Sequence, residues 1–187
     1  NAPISVQSMT KTDTRNVKAT VNQIKQLEEA GCEIVRCAVP DLEAATALKS
    51  IKSQSKIPIV ADIHFHYELA LESLKSGVDC LRLNPGNIRD KEKVKLVVNE
   101  CRDRRVPIRI GVNFGSLPPV GGIGKTGGVS RHTDGVNLLE KGSSVKGTYS
   151  VVDHMIATGL WEIGILEGLD FDLIKISLKA FDIETTV

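Results

Sequence analysis

The sequence predicts an α/β protein with a parallel sheet, and three observations carry this prediction. Apolar strand-like runs alternate with helical patterns at a step of roughly 25 to 30 residues, which is the rhythm of βα units. The chain has 187 residues, 41% of them hydrophobic, which is enough material for one core. Polar residues also recur at every second position near the ends of the strand-like runs. We therefore expect one domain in which each strand is followed by a helix.

Six strands and five helices are predicted in order along the chain. The strands are expected at Ile4–Met9, Glu33–Val39, Pro58–Phe65, Cys80–Asn84, Pro107–Asn113 and Leu173–Leu178. The helices are expected at about Val17–Ala30, Leu42–Ser53, Tyr67–Ser76, Lys91–Arg104 and Tyr149–Glu167. Gly31 and Gly77 mark the ends of the first and third helices, because glycine readily adopts the left-handed conformation that follows many helices. An Asp-Leu-Glu opening at Asp41 marks the start of the second helix.

Two architectures fit this element order. A closed β/α barrel of the TIM type has eight strands and typically about 250 residues, so this chain would supply about six of the eight βα units. An open doubly wound sheet of six strands is the alternative. That fold usually carries a glycine-rich phosphate turn after its first strand, where this chain has Met9-Thr10-Lys11-Thr12-Asp13. The sequence therefore favours an incomplete barrel.

Composition argues against several classes of partner. The 24 basic and 23 acidic residues give a net charge of +1 and form no long run of like charge, so neither nucleic acid nor an anionic membrane is an expected partner. No apolar run approaches the ~18 residues that would cross a bilayer, and the amino end lacks a secretory pattern. We expect a soluble, intracellular protein. The four cysteines form no CxxC pair, which argues against a metal or iron–sulfur site built from them alone.

The stretch from about 114 to 147 does not follow the βα rhythm. It contains nine of the sixteen glycines, and a structureless loop of this length is uncommon inside a compact domain. Gly124-Lys125-Thr126 is similar to the end of a nucleotide-binding phosphate loop, but Pro119 stands where that motif requires glycine. An irregular glycine-rich insertion is the favoured interpretation.

The side chains that could bind a ligand or take part in a reaction lie at the ends of the predicted strands. Residues two apart on a strand share a face, and the carboxyl ends of barrel strands carry the active site. Five strands place such groups on one face: Arg36; Asp62 with His64; Arg82 with Asn84; Arg109 with Gly111 and Asn113; and Lys175 with Ser177 and Lys179.

This pattern predicts an anion site. Four cations that converge in a barrel mouth repel one another and are costly to desolvate unless an anion neutralises them, and here these would be Arg36, Arg82, Arg109 and Lys175. Because the planar guanidinium suits bidentate binding of phosphate oxygens, phosphate or diphosphate is favoured over a simple carboxylate. Asp62 and His64 are the candidates for proton handling or for holding a substrate hydroxyl, with a structural hydrogen-bonded pair as the alternative.

Six ordered motifs resemble the amino-terminal barrel of the 4-hydroxy-3-methylbut-2-enyl diphosphate synthase family. They are Val6-Gln7-Ser8-Met9-Thr10, Gly31-Cys32-Glu33-Ile34-Val35-Arg36, Val60-Ala61-Asp62-Ile63-His64-Phe65, Leu81-Arg82-Leu83-Asn84-Pro85-Gly86-Asn87, Ile108-Arg109-Ile110-Gly111-Val112-Asn113 and Ile174-Lys175-Ile176-Ser177-Leu178-Lys179-Ala180. The resemblance implies reductive opening of 2-C-methyl-D-erythritol 2,4-cyclodiphosphate to the linear diphosphate, in the non-mevalonate route to isoprenoids.

The resemblance also implies roles for individual residues and for parts that lie outside this chain. Arg36, Arg82, Arg109 and Lys175 would bind the diphosphate; Asn84, Asn113 and Ser177 would add hydrogen bonds; and Asp62 with His64 would face the ring and hydroxyls. A separate carboxyl-terminal domain would carry a [4Fe-4S] cluster, and ferredoxin or flavodoxin would supply its electrons. The working unit would be a homodimer, located in the bacterial cytoplasm or the plastid stroma. The cluster cysteines would follow position 187, so this chain alone is expected to be inactive. The segment Leu117 to Lys146 departs from the family's usual loop and helix.

Two other functions remain open at this stage. A pterin-binding transferase of the dihydropteroate synthase kind has a related barrel and also places Asp, Asn, Lys and Arg on its strand ends. A non-catalytic, partly open barrel that binds phosphates weakly, or only self-associates through exposed sheet edges, is the other.

Overall fold

The structure is a computed structural model that describes residues 3–88, 90–117 and 151–182. Within these residues, strands and helices alternate along the chain. The strands are β1 (Gln7–Met9), β2 (Ile34–Ala38), β3 (Ile59–Asp62), β4 (Cys80–Arg82), β5 (Ile108–Asn113) and β6 (Ile174–Lys179). The helices are α1 (Val17–Glu29), α2 (Leu42–Lys52), α3 (Tyr67–Lys75), α4 (Lys91–Arg104) and α5 (Val151–Glu167).

The strand order distinguishes between the two predicted architectures. Neighbouring strands pair in parallel in the order β1-β2-β3-β4-β5-β6, so each βα unit lies beside the preceding one. A doubly wound sheet would instead reverse its strand order at a switch point. On the inner face, Arg109 Nη1 on β5 donates a hydrogen bond to Gln7 Oε1 on β1, which requires the sheet to curl. The fold is the predicted six-stranded part of a TIM-type barrel, and the doubly wound alternative is wrong.

Local sequence signals explain where the helices begin and end. The side chains of Asn16 and Asp41 accept hydrogen bonds from the backbone N–H groups of Ala19 and Ala44, at 3.1 and 2.9 Å, and so cap α1 and α2. After α1 and α3 the chain turns at Gly31 and Gly77, whose φ angles of 90° and 83° favour glycine. The helix boundaries predicted from these residues are confirmed.

The core lies between the sheet and the helices. Residues on the outer face of the strands, such as Val35, Ala61 and Ile110, have no exposed surface, and they belong to the same apolar cluster as Ile24 of α1 and Leu48 of α2. The intervening strand residues point to the inner face of the curled sheet. This alternation buries the apolar set behind the sheet and leaves the inner face for polar side chains.

The first five strands are shorter than predicted, and β1 and β3 are shortened most. β1 begins at Gln7 rather than Ile4, whose side chain is 98% exposed. β3 ends at Asp62 rather than Phe65, because α3 begins at Tyr67 and the chain must leave the sheet to reach it. The predicted alternation therefore does not extend to His64, which lies two residues beyond the strand and is exposed. Residues 118–150, with most of the predicted insertion, Gly124-Lys125-Thr126 and Tyr149, lie outside the described residues.

The last strand is covered less completely than the others. Ile176 and Leu178 of β6 stand on the outer face of the sheet and are 48% and 45% exposed. By contrast, their register partners Ile110 and Val112 on β5 are buried. The backbone of β6 pairs with β5 at six positions, and Ile174 packs against the core.

Candidate functional site

The polar residues of the inner face form a row across four neighbouring strands. Asp62 pairs with Arg82, Arg82 with Arg109, and Arg109 with Lys175 in the parallel register. Residues paired in this way share a face, and neighbouring strands lie about 4.8 Å apart. Asp62 and Arg82 are the last residues of β3 and β4, at the end of the sheet where barrel active sites are built, whereas Arg109 and Lys175 are the second residues of β5 and β6. Register alone therefore brings together one carboxylate and three cations.

Asp62 lies between two guanidinium groups. It is 4% exposed, with Oδ2 3.3 Å from Arg36 Nε and Oδ1 3.7 Å from Arg82 Nε. Arg36 stands one step nearer the amino end of the sheet, in register with Val60, and reaches along the inner face to Asp62. The buried carboxylate thereby balances part of the positive charge and restricts where the two arginines can point.

Arg82 occupies the space above a glycine. Its Nη2 donates to the backbone carbonyl of Gly111 at 3.4 Å, and a Cβ at Gly111 would lie only 2.3 Å from the same Nη2 atom. Burial lowers the pKa of the Arg82 guanidinium from its usual value, and the negative charge of Asp62 opposes that shift. Arg82 is thus partly desolvated, which strengthens its attraction for an anion.

Asn84 holds β4 and β5 together beyond the end of β4. Its Nδ2 donates to the carbonyl of Gly111 at 2.7 Å, and its Oδ1 accepts from the backbone N–H of Gly111 at 2.8 Å. The amide group therefore replaces the backbone partner that β5 would otherwise lose there. Gly111 is the meeting point of Arg82 and Asn84.

Arg109 and Arg36 both reach toward β1. Arg109 Nη1 donates to Gln7 Oε1, and Arg109 Nε is buried without a hydrogen-bond partner in the described part of the chain. The Nη2 atom of Arg36 lies 3.2 Å from the sulfur of Met9. Gln7 and Met9 thus form the wall of the site opposite β5. The alternation of β1 contains this signal, since Gln7 and Met9 share a face, but the sequence prediction assigned them no role.

Comparison with known proteins identifies the family. The whole chain, residues 1–187, matches the family described as the GcpE TIM-barrel domain. The chain belongs to this family. The curled sheet described above is consistent with that description.

Curated relatives of this GcpE-family chain share one name. A protein of Dehalococcoides mccartyi named 4-hydroxy-3-methylbut-2-en-1-yl diphosphate synthase (flavodoxin) is 56% identical over 187 residues, which is 100% of this chain and 47% of the relative. A protein of Thermodesulfovibrio yellowstonii with the same name is 54% identical over 188 residues, again 100% of this chain and 47% of the relative. The chain therefore spans about half the length of the curated relatives that it matches.

One solved structure supports the fold. The dihydropteroate synthase of Xanthomonas albilineans, solved with indole-2-carboxylic acid and 6-chloroguanine, aligns with a TM-score of 0.54 at 15% identity. The alignment covers 91% of this chain and 56% of that one. At so low an identity the likeness extends to the fold alone. The family match outweighs it, so the pterin-binding alternative is not favoured.

The structure brings only some of the predicted site residues of the GcpE-family domain into contact. Arg36, Asp62 and Arg82 are linked by ion pairs. The hydrogen bonds and ion pairs of the described residues include none between Asp62 and His64, and the backbone carbonyl of His64 accepts from Asn87 Nδ2 instead. The structure therefore does not support the alternative of a structural hydrogen-bonded pair, and the proposed catalytic roles of the two residues stay a prediction.

The remaining predicted residues lie on β5 and β6. Asn113 is exposed at the end of β5, and its Oδ1 accepts from the backbone N–H of Gly115 at 3.2 Å. Lys175 is exposed and pairs in register with Arg109, while Ser177 is half-buried and pairs with Gly111. These residues extend the polar row toward the open edge of the sheet.

A second concave region carries acidic side chains and does not suit an anion. An open groove of about 700 Å³ between α5 and β6 is lined by apolar side chains and by three acidic residues, Glu167, Asp170 and Asp172. Its carboxylates would repel a phosphate group, whereas the inner face presents four cations to one carboxylate. The inner face is therefore the better anion site.

The cysteines of the described residues do not fit a metal or cluster site. All four are buried and free, and burial raises the thiol pKa of Cys37, of Cys80 and of Cys101, the last to about 12. Among residues 3–88, 90–117 and 151–182, no group of three or more His, Cys, Asp or Glu side chains is placed to hold a metal ion. In the same ranges, no helix has the length and apolar character to cross a bilayer.

Proposed function

We propose that this chain is the substrate-binding barrel of an enzyme that converts 2-C-methyl-D-erythritol 2,4-cyclodiphosphate to 4-hydroxy-3-methylbut-2-enyl diphosphate. The observation that carries the proposal is the row of Arg82, Arg109 and Lys175 in register on the inner face. The name shared by the curated relatives supports it, since these proteins are called diphosphate synthases. Membership of the GcpE family supports it further.

The charge balance of the inner face favours a polyanion. The site contains four cations, Arg36, Arg82, Arg109 and Lys175. Asp62 neutralises one of their positive charges, so three remain. Arg82 has already lost part of its hydration, and Arg109 Nε lacks a partner among the described residues. A diphosphate carries several acceptor oxygens and more than one negative charge, which matches both deficits.

Each residue then has a part in binding. Arg36, Arg82, Arg109 and Lys175 hold the phosphate oxygens, and the side chains of Asn113 and Ser177 add hydrogen bonds. Asn84 acts mainly by keeping β4 and β5 in register at Gly111, a role that its two bonds to that residue support.

Asp62 and His64 act on different parts of the bound substrate. Asp62 orients Arg36 and Arg82, as their ion pairs suggest, and faces the ring from the floor of the site. His64, exposed at the rim, approaches the substrate hydroxyls. We propose that the proton taken up on ring opening reaches the substrate at this rim, where the exposed imidazole of His64 is in contact with solvent.

The reducing part of the enzyme lies outside this chain. Ring opening is a two-electron reduction that also takes up protons and releases water, and a [4Fe-4S] cluster supplies the electrons when bound. Because the four cysteines here do not fit such a cluster, we propose that a carboxyl-terminal domain holds it. Flavodoxin is the donor named for the relatives, and ferredoxin is the alternative. We propose that the complete enzyme is a homodimer, and that it works in the bacterial cytoplasm because the relatives are bacterial.

Calorimetric titration with the cyclic diphosphate tests the proposal in the protein at its full natural length. The Arg82→Ala, Arg109→Ala double variant should lose roughly 100-fold or more in affinity, because each arginine makes charge-assisted bonds. Arg104→Ala, which removes an exposed arginine of α4 paired with Glu100, is the matched control and should bind normally. Inorganic pyrophosphate should bind more weakly than the cyclic diphosphate.

Three results would change the interpretation. Equal binding of pyrophosphate and the cyclic diphosphate would support a general phosphate-binding barrel. Normal affinity in the folded double variant would show that the diphosphate lies elsewhere. If the full-length protein binds the cyclic diphosphate but does not convert it, the enzymatic assignment is contradicted.

A further inference from the structure

A buried carboxylate on α5 reaches the turn that follows β4. Glu162 is 2% exposed, and its Oε2 accepts a hydrogen bond of 2.7 Å from the backbone N–H of Gly86. Gly86 belongs to a short 3-10 turn at Pro85–Asn87. A buried acid is costly to keep unless it has a specific partner, so this contact needs an explanation.

The turn is shaped to receive this side chain. A Cβ at Gly86 would lie 2.8 Å from Glu162 Oε1 and 2.2 Å from the ring of Trp161. Gly86 does not have a positive φ angle, so it is the space and not the backbone conformation that requires glycine here. The carboxylate and the indole of α5 therefore both close directly on the backbone of the turn.

The turn connects two residues that organise the inner face. Asn84, directly before it, makes the paired hydrogen bonds to Gly111, the residue above which Arg82 lies. Asn87, at its end, donates through Nδ2 to the carbonyl of His64 at 3.1 Å. A displacement of the turn would thus move contacts to β5 and to the segment after β3 at once.

We propose that Glu162 is a positioning residue of the diphosphate site, which fixes the Pro85–Asn87 turn and through it the placement of Asn84, Gly111 and His64. This inference rests on the function proposed above. Glu162 does not touch the inner face itself. Its charge is nevertheless felt by Arg82, whose positive charge favours the ionised carboxylate, although burial raises the pKa of Glu162 to about 7.

Glu162→Met is the informative variant. Methionine has a similar length, fills the same space and cannot accept the hydrogen bond from Gly86. It also removes a carboxyl group whose burial is unfavourable, and this gain offsets the loss of the hydrogen bond to Gly86, so the stability of the folded protein should change little. Affinity for the cyclic diphosphate should nevertheless fall roughly ten-fold, because small displacements of positioned groups are costly.

Two further variants separate positioning from general packing. Glu162→Gln keeps an oxygen acceptor for Gly86 and should restore most of the affinity that Glu162→Met loses. Glu167→Ala removes an exposed acid at the end of the same helix and should have no effect. In parallel, hydrogen exchange measured at the Gly86 amide should speed up in Glu162→Met and stay slow in Glu162→Gln.

The outcomes distinguish this proposal from the proposed function. If the wild type binds the cyclic diphosphate and Glu162→Met binds it equally well, the positioning role is wrong. If the wild type does not bind it, the proposed substrate is wrong, and unchanged exchange at Gly86 in Glu162→Met would then also reject the anchoring of the turn. A parallel loss of stability and affinity in Glu162→Met and in Glu162→Gln would overturn the proposal in favour of a packing role.

Discussion

Replacing Gly111 with alanine would place a methyl group inside the guanidinium of Arg82. The new Cβ would lie 2.3 Å from Nη2, 2.6 Å from Nε and 2.8 Å from Cζ of Arg82. Ordinary contacts of a Cβ begin near 3.4 Å, so the guanidinium must move by about 1 Å. Gly111 has no positive φ angle, and alanine can therefore adopt its backbone conformation. The substitution should move Arg82 while leaving the strand in place.

The size of the effect follows from what Arg82 loses. Its ion pair with Asp62 spans 3.7 Å and its hydrogen bond to the Gly111 carbonyl 3.4 Å, and together these contacts direct the guanidinium. A charge-assisted hydrogen bond from the guanidinium to a phosphate oxygen contributes about 1.5–3 kcal/mol. Losing one such bond to the ligand corresponds to a roughly ten- to hundred-fold weaker affinity. The melting temperature should change little, because the displaced atoms are at the far end of a flexible side chain.

The assay is calorimetric titration of Gly111→Ala with the cyclic diphosphate, alongside its thermal unfolding. Gly115→Ala is the matched control: among the described residues its Cβ would meet only Asn113 Oδ1, at 3.8 Å, and it lies two residues after the end of β5. Wild-type affinity in a folded Gly111→Ala protein would refute the reasoning, since it would mean that the position of Arg82 does not matter. An equal loss in Gly115→Ala would point to a general disturbance of the loop instead.

Two further predictions concern buried ionisable groups. Because burial raises the pKa of Glu162 from 4.5 to about 7, the folded state binds more protons than the unfolded state between these values, and the free energy of unfolding should fall as pH rises through that window. The full effect is at most about 3 kcal/mol, and urea unfolding from pH 5 to 8 should show that Glu162→Gln lacks this slope relative to the wild type. The thiols of Cys37, Cys80 and Cys101 should resist alkylation by iodoacetamide at pH 8 until the protein is unfolded, because burial disfavours the reactive thiolate. Mass spectrometry measures the labelling, and rapid labelling of any of the three in the folded protein would contradict their burial.

The architecture was predictable because its signals are local. Each apolar run marks a strand, and residues such as Gly31 and Asp41 mark helix ends through conformational preference and capping. Once parallel pairing in chain order is assumed, alternation predicts that Arg82 and Arg109 share a face. The register of the structure confirms that part of the prediction.

Other parts of the site depend on distances that alternation does not encode. Gln7 meets Arg109 only because the sheet curls, and the curvature is a property of all six strands together. Glu162 meets Gly86 across 76 positions of sequence. Its only local signal is an acid within the apolar run of α5, and that signal does not say which backbone group the acid binds.

Asp62 and His64 do not form a hydrogen-bonded pair, and the reason is related. Alternation holds only as far as the strand continues, and β3 ends at Asp62. The carboxylate of Asp62 forms ion pairs with Arg36 on β2 and Arg82 on β4, because these neighbouring strands lie closer to it than the exposed loop does. Sequence patterns thus place residues reliably within an element and less reliably beyond its end.

The incomplete covering of β6 has a thermodynamic consequence for the bound state. Lys175 and Ser177 belong to a strand whose outer side chains Ile176 and Leu178 are 48% and 45% exposed in the described part of the chain. An anion that bridges Lys175 to Arg82 would hold this strand against the interior of the sheet. By linkage, a ligand that binds only when β6 is paired with β5 stabilises that pairing. Protection of β6 from hydrogen exchange would therefore rise as the site is filled.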